Sequence, residues 1–443
     1  MSKINLSELN SVHFIGLGGI GVSAVARMML LEGKTVSGSD RKLNNMVEKL
    51  IDLGASFYEG HSASNLPKDT EAVIYTVAIS EDNPELVLAR ERGLPTLTYS
   101  QALGVLSEDY RTVAVAGTHG KTTTTAMLNT ITSANQVDAT VIVGSLLLGG
   151  EEESNLVIGQ SSWLIVEACE YKRSFLDLWP EIVVITNIDE DHLDYYRDIA
   201  EIKEVFRELV SRIPETGALV CDVGDPELSS VIRAAACPVI DYQEVKISDL
   251  CLPMPGRHNR LNARAALAAA HILGVDQGRA RSALSNFTGT HRRLQCLGQT
   301  EGRVKVYDDY AHHPTEIAAS LEALRERYPT ARLVVVFQPH LYSRTAKLLT
   351  QFGGCFQLAE EVIVAPIYAA REKDPGNISN HSLAVELRRA GLNARSLVED
   401  AEIMTYLEQS VEPGDVLVFM GAGDIGQSAQ AFLRITEEQT APR

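Results

Sequence analysis

No uninterrupted apolar run in this chain approaches the ~20 residues needed to cross a bilayer. The leading decapeptide, MSKINLSELN, lacks a basic stretch followed by an apolar one, so no secretory signal is expected there. Both absences lead to the expectation of a cytoplasmic protein without membrane insertion. Cysteine is sparse: Cys169, Cys221, Cys237, Cys251, Cys296 and Cys355 are widely scattered and form no C-x-x-C pair. That disfavours a zinc site of that pattern and a disulfide framework, and fits reduced thiols. Positive charge is also short, with 40 Lys and Arg against 58 Asp and Glu, a formal net charge of -18. Nucleic-acid binding leans on clustered basic side chains that neutralise phosphates, so no nucleic-acid partner is expected. An anionic small molecule must then be held by local groups. What remains is an ordinary globular composition, 45% hydrophobic and 22% charged, in 443 residues. That length implies two or three domains, each with its own core.

The stretch that organises the chain is Val113 to Thr125, VAVAGTHGKTTTT. An apolar strand, Thr112 to Ala116, leads through Gly117, Thr118, His119 and Gly120 into a helix over Thr122 to Thr132. Glycines let backbone N–H groups close on phosphate oxygens, and the helix start adds unpaired donors and the positive dipole end. In such a loop Lys121 reaches the β and γ phosphates and the Thr122 hydroxyl sits on Mg2+. The common pattern is G-x-x-x-x-G-K-[ST]; here only Thr118 and His119 stand between the glycines, so the loop is short. The plainer alternative is a Gly/Thr-rich turn before a surface helix.

A second glycine loop comes earlier. Strand Ser11 to Ile15 is followed by GLGGIG, in which Gly16, Gly18 and Gly21 satisfy G-x-G-x-x-G with Gly19 between, then by a helix over Val22 to Leu31. Strand Thr35 to Gly38 ends at Ser39-Asp40, where a dinucleotide-binding fold places the acid that holds a ribose hydroxyl. A nicotinamide cofactor, another nucleotide diphosphate such as a nucleotide sugar, and a merely structural tight turn all fit these residues. The segments Met46 to Leu53 (helix), Ala72 to Thr76 (strand), Pro84 to Arg92 (helix) and Thr96 to Thr98 (strand) continue a βα alternation, hence a parallel sheet. The turn-prone Ser107-Glu108-Asp109 marks the expected boundary, giving domains 1–108, 109–291 and 292–443.

In the second domain, WLIVEACEYKRSFL ends a strand at Glu167 with Glu170 just beyond, where a Mg2+ ligand belongs in a phosphate-loop domain. A strand over Ile182 to Thr186 runs into NIDEDHLDYY, which groups Asn187, Asp189, Asp191, His192 and Asp194; His192 reads equally as a metal ligand or a loop histidine. An amphipathic helix over Ile199 to Val210 carries Lys203. Pro255 to Gly274 reads as a turn into an Ala-rich helix with His258, Asn259 and Asn262 at its start, which serve either as caps or as readers of a purine edge. Phe287 to Gln295 reads as a linker whose Arg292-Arg293 pair is an exposed turn or a phosphate clamp. In the third domain, strands Lys305 to Tyr307, Arg332 to Phe337, Glu361 to Ala365 and Asp415 to Phe419 alternate with helices Glu316 to Arg327 and Ala346 to Gln351. Polar clusters DDYAHHP and QPHLYSRT fall at strand ends, where open α/β sheets bind ligands.

GLGGIGVSAVA, GTHGKTTTT, EACEYKRSFL, TNIDEDHLDYY, GRHNRLNA, YDDYAHHP, FQPHLYSRT and GAGDI, in this order over nearly the whole chain, resemble the Mur ligase family. The short phosphate loop is that family's own variant. The resemblance implies an α/β protein of three domains: a Rossmann-like domain for a UDP-sugar, a central P-loop ATPase-like domain, and a C-terminal Rossmann-like domain that brings an amino acid. It implies that ATP and Mg2+ serve the joining of L-alanine to the lactyl carboxylate of UDP-N-acetylmuramate through an acyl phosphate, by a monomer or homodimer. By motif position it implies Lys121, His192 and Arg292 in catalysis, and Thr122, Glu167 and His192 as metal ligands. Gly117, Thr118, His119, Gly120, Lys121, Thr122, Thr123, His258, Asn259 and Asn262 are implied for ATP. Gly16, Gly18, Gly19, Gly21, Ser39, Asp40, His61 and Ser80 are implied for the UDP-sugar, and Tyr310, His312, His340 and Arg344 for the amino acid. Cys169 replaces an Asp of many relatives and Leu341 an Arg of some, which removes one possible carboxylate clamp; Lys203 lies near a lysine that several relatives carbamylate. Three other activities compete: coupling of a recycled tripeptide to the same nucleotide sugar, a nicotinamide-dependent sugar-nucleotide oxidoreductase, and a regulatory nucleotide-binding protein.

Overall fold

The computed structural model describes residues 4–149 and 153–438; Met1 to Lys3 of the leading decapeptide lie outside them. The fold has two compact units. One comprises the chain up to Glu190 with Asp198–Cys251 and Leu261–Thr288, the other Asp191–Arg197, Leu252–Arg260 and the chain from Gly289 onward. Among the described residues no helix is long and apolar enough to cross a membrane.

The first unit holds two sheets. Strands β1 (Ser11–Ile15), β2 (Thr35–Asp40), β3 (Ser56–Glu59), β4 (Ala72–Tyr75) and β5 (Thr96–Thr98) form an all-parallel sheet in the order β3-β2-β1-β4-β5. Crossover helices α1 (Ile20–Leu31), α2 (Asn45–Asp52) and α3 (Pro84–Glu91) link them, and α4 (Tyr99–Glu108) leaves the sheet. Local chemistry starts these helices: Asn44 accepts from Met46 N and Val47 N, Asn83 caps α3 with Pro84 in its first turn, and Thr98 and Gln101 form a capping box on α4. β1 is buried throughout, as a strand covered on both faces must be, and its one polar member that matters, His13, is paired. The reversal of strand order beside β1 puts a crevice outside the carboxyl ends of β1 and β4.

The second sheet contains β6 (Arg111–Ala116), β7 (Thr140–Leu147), β8 (Ser154–Val157), β9 (Trp163–Glu167), β10 (Ile182–Ile185), β11 (Ala218–Cys221) and β12 (Val239–Asp241), in the order β12-β11-β10-β6-β9-β7-β8, with only β8 antiparallel. Its helices are α5 (Lys121–Ala134), α6 (Ile199–Ser211), α7 (Ser229–Ile232), α8 (Arg257–Ile272) and α9 (Gln277–Leu284). The two sheets are joined through α1, whose residues Ile20 and Ser23 accept from Asn155 of β8. The turn expected at Ser107 to Asp109 is instead the end of α4: Ser107 is buried, donates to Gly104 O and accepts from Trp179 N. Tertiary hydrogen bonding there overrides the polar, turn-like composition.

The second unit carries β13 (Gln295–Gln299), β14 (Lys305–Asp309), β15 (Leu333–Phe337), β16 (Glu361–Val364), β17 (Ala394–Ser396) and β18 (Val416–Met420), ordered β13-β14-β18-β15-β16-β17 with β13 antiparallel. LVVVF and VLVFM are wholly buried central strands. Helices α10 (Pro314–Arg327), α11 (Tyr342–Lys347), α12 (Leu349–Cys355), α13 (Asn380–Arg389), α14 (Asp400–Ser410) and α15 (Ile425–Glu438) complete it. Where one helix was expected over Ala346 to Gln351 there are two, broken at Leu348, and the first begins earlier because Leu341 (φ 66) turns the chain sharply after the β15 end. Arg344 therefore sits on α11.

Candidate active site

β6 lies between β9 and β10, so the loop after β6 meets the carboxyl ends of both neighbours. Gly117 (φ 126) is forced: a Cβ there would lie 2.0 Å from Thr186 Oγ1. Thr118 N donates to Asn187 O (3.0 Å), His119 N to Asn187 Oδ1 (2.9 Å), and Thr186 Oγ1 and Asn187 Nδ2 to His119 O (2.6 and 2.9 Å). The Thr118 hydroxyl accepts from Asp189 N (2.9 Å), and His119 Nε2 is 3.0 Å from Asp189 Oδ2. Asn187 and Asp189 of the polar cluster NIDEDHLDYY thus staple the phosphate loop. Gly120 (φ 84) caps α5, its α-carbon against the Asn262 amide.

Two carboxylates face this loop. Glu167, at the β9 end, accepts from Thr122 Oγ1 (2.8 Å) and Gly144 N (2.7 Å). Buried Glu170 binds Lys121 Nζ through both oxygens (3.1 and 2.8 Å), and the same ammonium donates to Gly117 O (2.5 Å) and Thr118 O (3.1 Å). Burial alone would lower the Lys121 pKa; the Glu170 charge more than offsets it and holds the ammonium protonated. Thr123 is buried behind the loop. Lys203, compared above with a carbamylated lysine, pairs with Glu227 at 2.5 Å.

In the earlier glycine loop Gly16 (φ 83) passes against Thr76, which leaves 2.5 Å to a Cβ. Gly18 N donates to Asp40 Oδ2 (2.8 Å), Gly19 caps α1, and Gly21 packs on Tyr99. Ser80 is exposed, while Ser39 is completely buried, so its hydroxyl meets side chains rather than solvent. Ser39 Oγ contacts Glu85 Oε2 (2.7 Å) and His61 Nδ1 (3.0 Å). Glu85 was missed in the sequence because it reads as an ordinary acid in a helix first turn; its partners lie 20 to 72 residues away.

The second unit gathers the residues implied for the amino acid. Tyr310 and His312 stand edge to face with centroids 5.5 Å apart, His312 and His340 likewise at 5.8 Å, and His340 stacks on Tyr368. Arg344 reaches His340 Nδ1 (3.2 Å) and buried Asp191 (2.7 Å). Burial pushes the Asp191 carboxyl up, but His192, Arg344, His312 and His313 pull it well below the carboxylate range. Burial brings His312 down to about 4, and burial with the neighbouring His312 and Arg344 brings His340 to about 3, so both rings are neutral. His192 (φ 55) belongs to this unit. Arg292 is held by Asp308 (3.1 Å) and the carbonyls of Gly421 and Gly423 (2.6 and 2.7 Å), and both Arg292 and Arg293 lie over Tyr310. At the start of α8, Asn259 Nδ2 donates to Pro255 O (2.8 Å), and His258 is brought to about 4 by burial and Arg260. Asn262, further along α8, is grouped with the phosphate loop in the first unit.

Three segments match family models: residues 11–111 the model described as Mur ligase family, catalytic domain; residues 115–249 the Mur ligase middle domain; residues 292–423 the Mur ligase, glutamate ligase domain. A UDP-N-acetylmuramate–L-alanine ligase of Clostridium kluyveri is 41% identical, with 95% of this chain and 97% of that one covered. Its counterpart in Alkaliphilus metalliredigens is 40% identical, with 98% and 99% covered. The solved structure of a UDP-N-acetylmuramate–alanine ligase from Thermotoga maritima superposes with a TM-score of 0.81 at 29% identity, over 97% of this chain and 100% of that one. A murein peptide ligase from Psychrobacter arcticus shares the fold at 23% identity and a TM-score of 0.71, over 98% and 100%. Three matched segments in the expected order, three sheets and relatives near 40% identity over almost the full length agree: the chain belongs to the Mur ligase family.

Proposed function

We propose that this protein joins L-alanine to the lactyl carboxylate of UDP-N-acetylmuramate at the expense of ATP, in the cytoplasmic assembly of peptidoglycan precursors. The observation that carries the reading is the convergence of Lys121, Thr122, Glu167 and Glu170 on the loop after β6, in a chain whose full-length relatives bear that activity in their names. ATP lies with its phosphates along Gly117, Thr118, His119, Gly120, Lys121, Thr122 and Thr123, and its base toward His258, Asn259 and Asn262. The Thr122 hydroxyl and Glu167 carboxylate are 2.8 Å apart, a hard oxygen pair of the kind Mg2+ takes; they would hold one ion, with His192 assigned to a second. Mg2+ bound there would neutralise phosphate charge.

In the first sheet the GLGGIG loop (Gly16, Gly18, Gly19, Gly21), with Asp40, His61 and Ser80, receives the UDP-sugar. The sugar's carboxylate attacks the γ phosphorus, the bond to the β-phosphate oxygen breaks, and ADP leaves with an acyl phosphate formed. Lys121 meets the charge that builds on the transferring group. In the second unit Tyr310, His312, His340 and Arg344 orient L-alanine, with the guanidinium suited to its carboxylate and neutral His312, whose Nδ1 hydrogen goes to the Tyr310 carbonyl, able to accept at Nε2 from its amine. The amine attacks the acyl carbon, a tetrahedral species forms, and phosphate leaves with its bonding electron pair. Arg292 is the arginine assigned to the phosphates. No Ser or Cys nucleophile is needed, since positioning does most of the work.

The test is ADP release with UDP-N-acetylmuramate and Mg2+, offering L-alanine, glycine, L-serine or the tripeptide L-alanyl-γ-D-glutamyl-meso-diaminopimelate. Release with L-alanine at the highest kcat/KM supports the reading; release with the tripeptide alone overturns it.

A further inference from the structure

Behind the first glycine loop lies a carboxylate that the chemistry above does not use. Glu85 has no exposed surface and is surrounded by donors from four segments. Its Oε2 is 2.8 Å from His13 Nε2 and 2.7 Å from Ser39 Oγ; its Oε1 is 3.3 Å from His61 Nδ1, 3.1 Å from Ser62 N and 3.2 Å from Asn65 Nδ2. An isolated buried carboxylate would take up a proton; one with this many donors stays ionised. An ionised carboxylate only accepts, which fixes the direction of each bond made to it. The Ser39 hydroxyl spends its single hydrogen on Glu85, so at 3.0 Å it can only accept from His61 Nδ1. His13 donates from Nε2 to Glu85, and its Nδ1 lies 2.8 Å from Ser37 Oγ. His61 must therefore carry its hydrogen on Nδ1, and its Nε2 is left as the atom a ligand can meet; this side chain is 19% exposed, whereas His13 is wholly buried.

We propose that Glu85, through Ser39 and directly, is a positioning residue for the sugar-nucleotide site: it orients the His61 ring and fixes its tautomer so that Nε2 accepts a hydrogen bond from a hydroxyl or N–H of the nucleotide sugar. A phosphate oxygen offers no hydrogen to such an atom, so His61 reads the nucleoside or sugar part of the substrate, and the diphosphate falls to the glycine loop. This rests on the reading that the first sheet binds UDP-N-acetylmuramate.

Glu85→Gln keeps the shape but supplies a single acceptor oxygen, and its amide hydrogens oppose those of His13 and Ser39. The expected result is a rise of about tenfold in KM for UDP-N-acetylmuramate, with KM for ATP and for L-alanine unchanged, the loss of one charge-assisted hydrogen bond. In a His61→Ala background the same change should add nothing. A fall in kcat with all three KM values unchanged, or an additive effect in that background, marks Glu85 as merely structural and overturns the proposal. If His61→Ala itself leaves KM for the nucleotide sugar unchanged, it is the assignment of the site that fails. Should Glu85→Gln not fold, nitrogen-15 NMR of the wild-type imidazoles decides: hydrogen on Nδ1 of His61 at pH 8, with and without UDP-N-acetylmuramate, is expected, and hydrogen on Nε2 or a doubly protonated ring in the complex overturns it.

Discussion

Two glycine loops, each running from a buried parallel strand into a helix, are backed by buried carboxylates with opposite destinies. Behind GLGGIG, Glu85 is bound by imidazoles, a hydroxyl, an amide and a backbone N–H, none of which has to leave when a ligand arrives. Behind GTHGKT, Glu170 is bound by Lys121, the cation proposed above to meet the phosphates. On the proposed function the first carboxylate is scaffolding, the second a counter-ion that a nucleotide would displace. The same strand, turn and helix thus suit two anions on this reading, and the side chains behind the loop set the difference.

The largest test of this contrast is Lys121→Ala. Turnover should fall about a thousandfold, the scale of one lost charge-stabilising donor, while UDP-N-acetylmuramate still binds the first loop; isothermal titration beside ADP release measures both, and a parallel loss of sugar binding would break the contrast. Next, Gly117→Ala pushes a Cβ into Thr186 at φ 126 and should lower stability by about 3 kcal/mol, read as the urea midpoint. Glu167→Gln removes charge from the Thr122 partner and should raise the Mg2+ concentration for half-maximal ADP release by about thirtyfold, with KM for the nucleotide sugar unmoved.

A pH series sharpens the comparison further. Burial pushes the Glu85 carboxyl up, but the hydrogen bonds from His13, Ser39 and Ser62 outweigh it and leave it below its ordinary 4.5. A carboxyl depressed in the folded state stabilises above its unfolded value and loses that contribution as pH falls through the folded one. Wild type and Glu85→Gln should therefore differ by about 2 kcal/mol at pH 7, and the gap should close as pH drops below 4.5; a constant gap in urea titrations contradicts an ionised Glu85. The smallest effect is expected of Gly19→Ala, where φ is -69 and the nearest atom to a Cβ is Gly16 O at 3.3 Å: a shift within about 0.5 kcal/mol.

Much of this architecture is legible in the sequence because it is written in short-range chemistry. β1, β6, β10, β15 and β18 are apolar runs, and Asn44, Asn83-Pro84 and Thr98 start helices by local hydrogen bonding. Lys121, Thr122 and Glu167 could be placed because loop, helix and strand end fix them locally. Glu85 could not, since an acid two residues after a capping Asn looks like helix electrostatics until strands from elsewhere bring His13 and Ser39 to it. The division of NIDEDHLDYY was equally hidden: Asn187 and Asp189 tie down the phosphate loop, while Asp191 and Asp194 take Arg344 and Arg371. One run of polar residues carries no mark of where the chain changes allegiance.

That change has a practical side. The C-terminal sheet borrows Asp191–Arg197 and Leu252–Arg260 from upstream, and Arg344 finds its carboxylate on the first of these loans. A fragment cut to begin at Gly289 would keep every strand of its sheet yet strand that guanidinium, 10% exposed, without its counter-charge. Genetic splitting or swapping at that point should yield a less stable piece than one grafted with both upstream segments.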